Sequence, residues 1–178
     1  AGVIEAVGEG VTDLKVGQAV ACLSGTGGFG THTLAPAKLC MPLPPGFPPV
    51  DAAAFIMIYA TSHHALMDRG ELKAGETVLV LGAAGGVGMS AIQIAKAAGA
   101  RHVTGVDPLD RSALASIFGV DEPVRATSDR WIRHLAPDAK YDIVIEAVGH
   151  QVATLGHAIE AAGFGGMVFY FGVTDDDV

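Results

Sequence analysis

The hexapeptide Ala83-Ala84-Gly85-Gly86-Val87-Gly88 stands directly after the apolar run Thr77-Val78-Leu79-Val80-Leu81 and directly before a helical stretch from Met89 to Ala98. Small residues between a strand and a helix let the backbone pass close to a pyrophosphate, and the amides opening the helix set partial positive charge against it. Glycine turns alone need no ligand. The strand before this one, the helix after it and an acidic residue downstream give it the setting of a dinucleotide-binding turn.

The acidic residue is Asp107, at the end of a second apolar run, His102-Val103-Thr104-Gly105-Val106. It lies about twenty residues beyond the glycines, where a carboxylate accepts hydrogen bonds from a ribose diol. The same charge repels a 2′-phosphate, so Asp107 favours NAD(H) over NADP(H), while Arg111, if turned toward the adenosine end, softens that preference and leaves NADP(H) possible. A competing assignment makes Asp107 the cap of a helix starting near Pro108.

Half of the 178 residues are hydrophobic, enough for a substantial core, and the formal net charge is −8. No Lys/Arg cluster forms a stripe, which argues against nucleic acid as a partner. No apolar stretch reaches the length of a membrane span, and the first residues do not resemble a cleavable signal. Cys22 and Cys40 lack metal-ligand spacing with each other or with histidine, so a reduced, cytoplasmic setting is the expectation.

Two regions differ in pattern. Up to about residue 50 the chain is rich in Val, Gly and Pro, and Val3–Val7 and Gln18–Leu23 read as strands of a small antiparallel barrel. Gly25–Gly30 is a loop or hairpin, since no helical pattern follows it, and Pro42–Pro49 reads as a linker. From residue 51 to 178 helices and strands alternate: helix 51–66, strand 77–81, helix 86–98, strand 102–106, helix 110–118 stopped by Gly119, a short strand at Val124, and a short helix 128–135 opened by Thr127. Strand 141–146, helix 151–162 and strand 167–171 follow. The alternation predicts an α/β fold, a doubly wound parallel sheet whose ligands lie beyond the carboxyl ends of its strands.

These residues resemble the medium-chain dehydrogenase/reductase superfamily along the whole chain. Gly2, Gly8 and Val11 fit the latter part of a family pattern of spaced glycines and a valine, and Leu14–Val20 fits the segment after it. The resemblance implies a partial GroES-like catalytic domain and linker at 1–50 and a Rossmann domain at 51–178 without its last strand, with the active site in the cleft between domains. It also implies a homodimer.

Residues 1 to about 100 are most similar to the zinc-free quinone oxidoreductases, the branch that includes zeta-crystallin, whereas Val106-Asp107-Pro108 and Ile145–Gly149 resemble the alcohol and polyol dehydrogenase branch. In zinc members a Gly-His-Glu triplet would fall just before Ala1. Only Ser24–Gly30 stands where structural-zinc members carry a four-cysteine lobe. Met57 stands where a later zinc-ligand cysteine would be, and a thioether is a poor zinc ligand. Adjacent His63 and His64 diverge on a helix. No zinc is expected.

The resemblance places Tyr59 and Thr61 at the nicotinamide end, Tyr59 as hydrogen-bond donor to a quinone or enone oxygen and Thr61 as a binder of cofactor ribose or phosphate. Otherwise Tyr59 is a packing aromatic and Thr61 a helix-start residue. Val148 and Gly149 follow one strand, and Phe171, Gly172 and Val173 another, at positions that approach the nicotinamide ribose and amide or merely turn the chain. Glu146 is either an acid/base or a solvent-facing residue, and Asp175–Asp177 a solvated loop. The expected activity is NAD(P)H-dependent hydride transfer to quinones or conjugated carbonyl compounds without metal. The alternatives are a zinc-dependent alcohol or polyol dehydrogenase and a non-catalytic nucleotide-binding or structural protein.

Overall fold

The structure is a computed structural model that describes residues 1–110, 113, 119–149 and 152–171. Arg111, Gly172, Val173, Asp175–Asp177 and most of the expected helix 110–118 lie outside the described residues. The chain divides into two compact units, Ala1–Ala60 and Thr61–Val178.

The first unit holds an antiparallel sheet in the order β1 (Gly2–Val3), β2 (Ala19–Cys22), β3 (Cys40–Pro42). β1 is shorter than the expected Val3–Val7. Gly17, at φ 84°, turns the chain immediately before β2, so Val3 opposite Ala19 is the last registered pair. β3 falls where the sequence reads as the start of a linker. Pro42 ends that edge strand, a place where a missing N–H breaks no ladder. Gly30 N donates to Gly27 O at 3.1 Å, closing the glycine loop that sequence pattern anticipates. Helix α1 (Pro49–His63) begins in this unit, with the division falling inside it.

The second unit is a five-stranded sheet, with β4 (Thr77–Leu81), β5 (His102–Asp107), β6 (Glu122–Arg125), β7 (Tyr141–Glu146) and β8 (Ala162–Tyr170) in the order β6-β5-β4-β7-β8. Every pairing is parallel. Strand order therefore reverses between β4 and β7, the switch point at which such sheets take ligands. β4 carries no polar alternation because both its faces are covered: Val78 and Val80 pack with Ile92, Val103 and Ile143 on one side, Leu79 and Leu81 with Val106, Val124 and Val144 on the other.

Helix α2 (Gly86–Ala97) and helix α3 (Val152–Ala161) match expectation to within a residue or so at each described end. Beyond His63 the chain widens into a single π-helical stretch, His64–Arg69, so the expected helix 51–66 changes character before its end. The short helix after β6 is 3-10, Asp129–His134, and is opened by Ser128 rather than Thr127, with Arg130 N donating to Ser128 Oγ at 3.4 Å. Gly119 has the expected left-handed φ, 66°. β8 starts five residues earlier than the pattern suggests. Its glycine-rich opening pairs Ala162 with Tyr141 before a register shift, and the expected residues 167–170 then run beside Ile143–Glu146.

Side chains stitch the amino ends of the strands. Asp142 Oδ2 accepts from both Thr77 N and Thr77 Oγ1 at 2.8 Å. Tyr141 Oη donates to Thr104 Oγ1 at 3.0 Å, and Thr104 donates to Glu122 at 3.3 Å. Burial pushes the Tyr141 phenol up; the Thr104 bond opposes this and the Glu122 charge adds to it. Asp121 receives Lys96 Nζ at 2.8 Å and Val103 N at 2.8 Å. Burial would raise its carboxyl, but the hydrogen bonds from Lys96 and Val103 and the nearby positive charge prevail and hold it below the usual carboxylate range.

Two outcomes follow from this packing. A Cβ at Gly88 would run into the Gly82 carbonyl and the Ala83 Cα, so Gly88→Ala should lower stability by about 1–3 kcal/mol, the usual effect of overpacking, measured by urea titration. Because the Asp121 pKa is depressed in the fold, its contribution is present above the unfolded-state carboxylate pKa and is lost as pH falls through the folded value. The Tm difference between wild type and Asp121→Asn should be positive at neutral pH, no more than modest for so exposed a pair, and vanish in acid.

Candidate functional site

The glycine turn is folded by its own backbone. Gly82 leaves β4 at φ 72°, a left-handed conformation, and a Cβ there would press on Val148 and the Ala147 backbone. Gly82 N and Ala83 N both donate to Val106 O, at 3.0 and 3.1 Å, so the turn is tied to β5. Gly85 N closes back on Gly82 O at 3.0 Å, and Gly85 O then accepts from Met89 N at 2.8 Å, the first bond of α2. The amides of Gly86, Val87 and Gly88 open that helix, where no carbonyl one turn earlier exists within the helix to take them.

Two serines that sequence pattern does not single out fix this first turn. Ser62 Oγ donates to Val87 O at 2.9 Å, and Ser90 Oγ lies 3.0 Å from the same oxygen and 2.7 Å from Ser62 Oγ. Both are fully buried. Their signal was a serine in each of two apolar helical stretches, which is too common to carry a role by itself.

Asp107 ends β5 beside the turn. It is 9% exposed, with Oδ2 accepting from Ala84 N and Oδ1 from Leu109 N, each at 3.0 Å. The Leu109 bond is the local turn expected of a capping aspartate. The Ala84 bond ties the same carboxylate to the glycine turn. An ionised carboxylate has about four acceptor positions, so two bonds leave capacity for a ribose diol.

A cavity of about 200 Å³ opens at this end of the sheet, lined by Gly82, Val106, Asp107, Trp131 and Val148 and by the polar side chains of Thr127, Ser128 and Thr154. Trp131 is 3% exposed, and its indole N–H is buried without an acceptor among the described residues. An unpaired buried donor costs about 1–3 kcal/mol. A ligand acceptor reaching it would remove that penalty. Arg125, opposite Asp107 in the β5–β6 register, spends its Nε on Pro108 O at 3.1 Å.

Glu146 is fully buried, which overturns the solvent-facing alternative. Its Oε1 accepts from Val148 N at 3.0 Å, and Gly149 N reaches both carboxylate oxygens at 3.2–3.3 Å. The carboxylate thus shapes the turn through Ala147, Val148 and Gly149, with Gly149 at φ 66°. Ala147 N donates to Leu81 O and Phe171 N to Glu146 O, so the ends of β4, β7 and β8 are joined by backbone.

Within the second unit the structure therefore brings together Ala83–Gly88, Asp107, Val148, Gly149 and Phe171. Thr61 is half-buried on α1 near Ser62. Tyr59 belongs to the first unit, half-buried, its ring stacked on Phe55 with centroids 4.3 Å apart. His63 is exposed, His64 Nδ1 meets Asp68 at 2.9 Å on the surface, and Met57 is 62% exposed. Among the described residues no three His, Cys, Asp or Glu side chains converge. A wider groove, about 350 Å³, lies at the amino ends of the strands between Arg101, His102, Glu122 and Lys140. It lacks the glycine turn and helix terminus, so the smaller cavity is the candidate site.

The chain is similar to known proteins in sequence and in fold. Residues 86–178 match the family of zinc-binding dehydrogenases and residues 1–45 the alcohol dehydrogenase GroES-like domain. Phthioceranic/hydroxyphthioceranic acid synthase of Mycobacterium tuberculosis strain H37Rv is 36% identical over 151 residues, 83% of this chain and 7% of that protein. The quinone oxidoreductase of Pseudomonas syringae pv. tomato DC3000 is 31% identical with a TM-score of 0.78, covering 96% of this chain and 53% of that one. The quinone oxidoreductase of Thermus thermophilus, solved alone and with NADPH, is 28% identical with a TM-score of 0.72, covering 86% and 50%. The chain thus spans about half the length of these solved relatives and a small fraction of the synthase. With a parallel sheet carrying its glycine turn at the switch point, an antiparallel sheet before it and family matches over both, the chain belongs to the medium-chain dehydrogenase/reductase superfamily.

Proposed function

We propose that the second unit binds a nicotinamide dinucleotide and that the protein uses it as an oxidoreductase, passing hydride to a quinone or another conjugated carbonyl compound. The observation that carries this reading is one constellation: the first-turn amides of α2 beside a cavity holding the Asp107 carboxylate and the unpaired Trp131 N–H. Amides and helix dipole suit the pyrophosphate. Asp107 suits a ribose diol, and the polar wall of Thr127, Ser128 and the indole N–H suits an adenine edge. Val148, Gly149 and Phe171, with Gly172, Val173 and Thr61, take the nicotinamide half. Arg111 takes the adenosine end.

The bound cofactor would supply hydride chemistry, while the protein supplies orientation and electrostatics. Tyr59 is proposed to donate its phenolic proton in a hydrogen bond to the substrate oxygen as negative charge develops there. That assigns polarisation of the carbonyl to a side chain rather than to a metal. Asp107 favours NADH, because a 2′-phosphate beside it would meet a carboxylate already held by two backbone amides and unable to turn away. The similarity to phthioceranic/hydroxyphthioceranic acid synthase favours an acyl compound as the conjugated carbonyl. The zinc-dependent alcohol dehydrogenase reading is favoured by the family match over residues 86–178.

Trp131 is the sole tryptophan of these 178 residues, so quenching of its emission reads dinucleotide binding to this chain. NADH should bind more tightly than NADPH, and Asp107→Asn should weaken NADH by roughly tenfold, the scale of a hydrogen bond to a charged group, while leaving NADPH equal or tighter. Equal affinities in the wild type would remove the selective role of Asp107.

Turnover of quinones, enones and enoyl thioesters, run against alcohols with metal analysis alongside, tests the reaction. Tyr59→Phe should lower kcat about 10²–10³-fold, as loss of an oxyanion donor does, with cofactor affinity unchanged. Stoichiometric zinc with alcohol oxidation would support the zinc reading, and tight binding without turnover a non-catalytic one.

A further inference from the structure

Cys22 and Cys40, separated in sequence by a glycine-rich loop, are direct partners across β2 and β3. The ladder bonds on either side fix which kind of pair they form. Leu23 N donates to Leu39 O at 3.3 Å and Leu43 N to Ala19 O at 2.9 Å, which makes those the hydrogen-bonded pairs. Alternation then makes Cys22 and Cys40 a non-hydrogen-bonded pair, with Cα atoms about 4.5 Å apart and side chains on one face in closest approach. Disulfides need Cα atoms roughly 4.4–6.8 Å apart, so the pair sits at the short, strained end of what a bond accepts. Both thiols are free and partly exposed. The Cys40 thiol donates to Pro36 O at 3.5 Å. Burial pushes the Cys40 pKa up, and the neighbouring Cys22 thiol adds to it.

We propose that Cys22 and Cys40 are a redox modification site, a dithiol that closes to a cross-strand disulfide by exchange with a small disulfide such as oxidised glutathione. One thiolate attacks a glutathione sulfur and expels glutathione thiolate. The second thiolate attacks the protein sulfur of the mixed disulfide and expels the other. The balance is two protein thiols and one glutathione disulfide giving one protein disulfide and two glutathione thiols. Strain and exposure make such bonds labile rather than structural. The reaction quickens as pH rises, because the raised Cys40 thiol must lose its proton to attack. Neither cysteine is among the residues assigned to dinucleotide binding or hydride transfer, so the site stands independently of that reading.

The test is incubation of the reduced full-length protein with oxidised glutathione, followed by intact mass, peptide mapping and non-reducing electrophoresis. The expected product has lost two hydrogens, contains a Cys22–Cys40 peptide, migrates as monomer and reopens in excess reduced glutathione. Cys22→Ser and Cys40→Ser should each retain one glutathione as a stable adduct instead. A wild-type protein that ends as stable glutathione adducts, forms disulfide-linked dimers, keeps both thiols free, or holds its bond against excess reduced glutathione would overturn the proposal. Circular dichroism of both serine variants separates loss of the bond from loss of the fold.

Discussion

The approach of α2 to the end of β4 is the constraint on which the nucleotide end of this protein depends. Gly88 lies against the Gly82 carbonyl and Ala83 Cα with no room for a side chain. That contact lets the helix begin within a few residues of the strand and points its first amides past the sheet. Move the helix outward by the width of a methyl group and Ser62 can no longer reach Val87. Glycine here is a requirement of distance. At Gly82 it is one of conformation, since φ is positive.

A second theme is the use of carboxylates to shape backbone. Asp107 and Glu146 end the strands on either side of β4, and each accepts two main-chain amides, Glu146 from the turn that follows it and Asp107 from its own turn and from the glycine turn. Asp107 places in the cavity wall a carboxylate that belongs to the scaffold, which sets what sort of ligand edge can lie against it.

Much of the α/β unit was legible in the sequence because its signals are local. Uninterrupted apolar runs mark strands buried on both faces, and the turn announces itself in six residues. The first unit was less legible: β1 and β3 are two and three residues long, and their limits are set by turns at Gly17 and by an edge position that tolerates Pro42. The glycine turn and Asp107 were visible as site elements, whereas Ser62, Trp131 and the Cys22–Cys40 pair were not. Those three matter through partners that only folding brings near, and no spacing rule encodes a meeting across a loop or between two helices. Glu146 was visible but ambiguous, since a strand-end glutamate faces water or turns inward according to which amides lie beyond it.

At the amino ends of β4, β5, β6 and β7, side chains of different strands bond to one another, Thr77 with Asp142 and Tyr141 through Thr104 to Glu122. At the carboxyl ends the bonds described here run instead between turns and strand ends, through backbone or from a carboxylate to backbone. One edge of the sheet is an anchor and the other a platform. Sequence change in the loops of the platform leaves the strand order and register untouched, because register is held from the far side. A protein built this way can be retuned for a different small molecule without refolding.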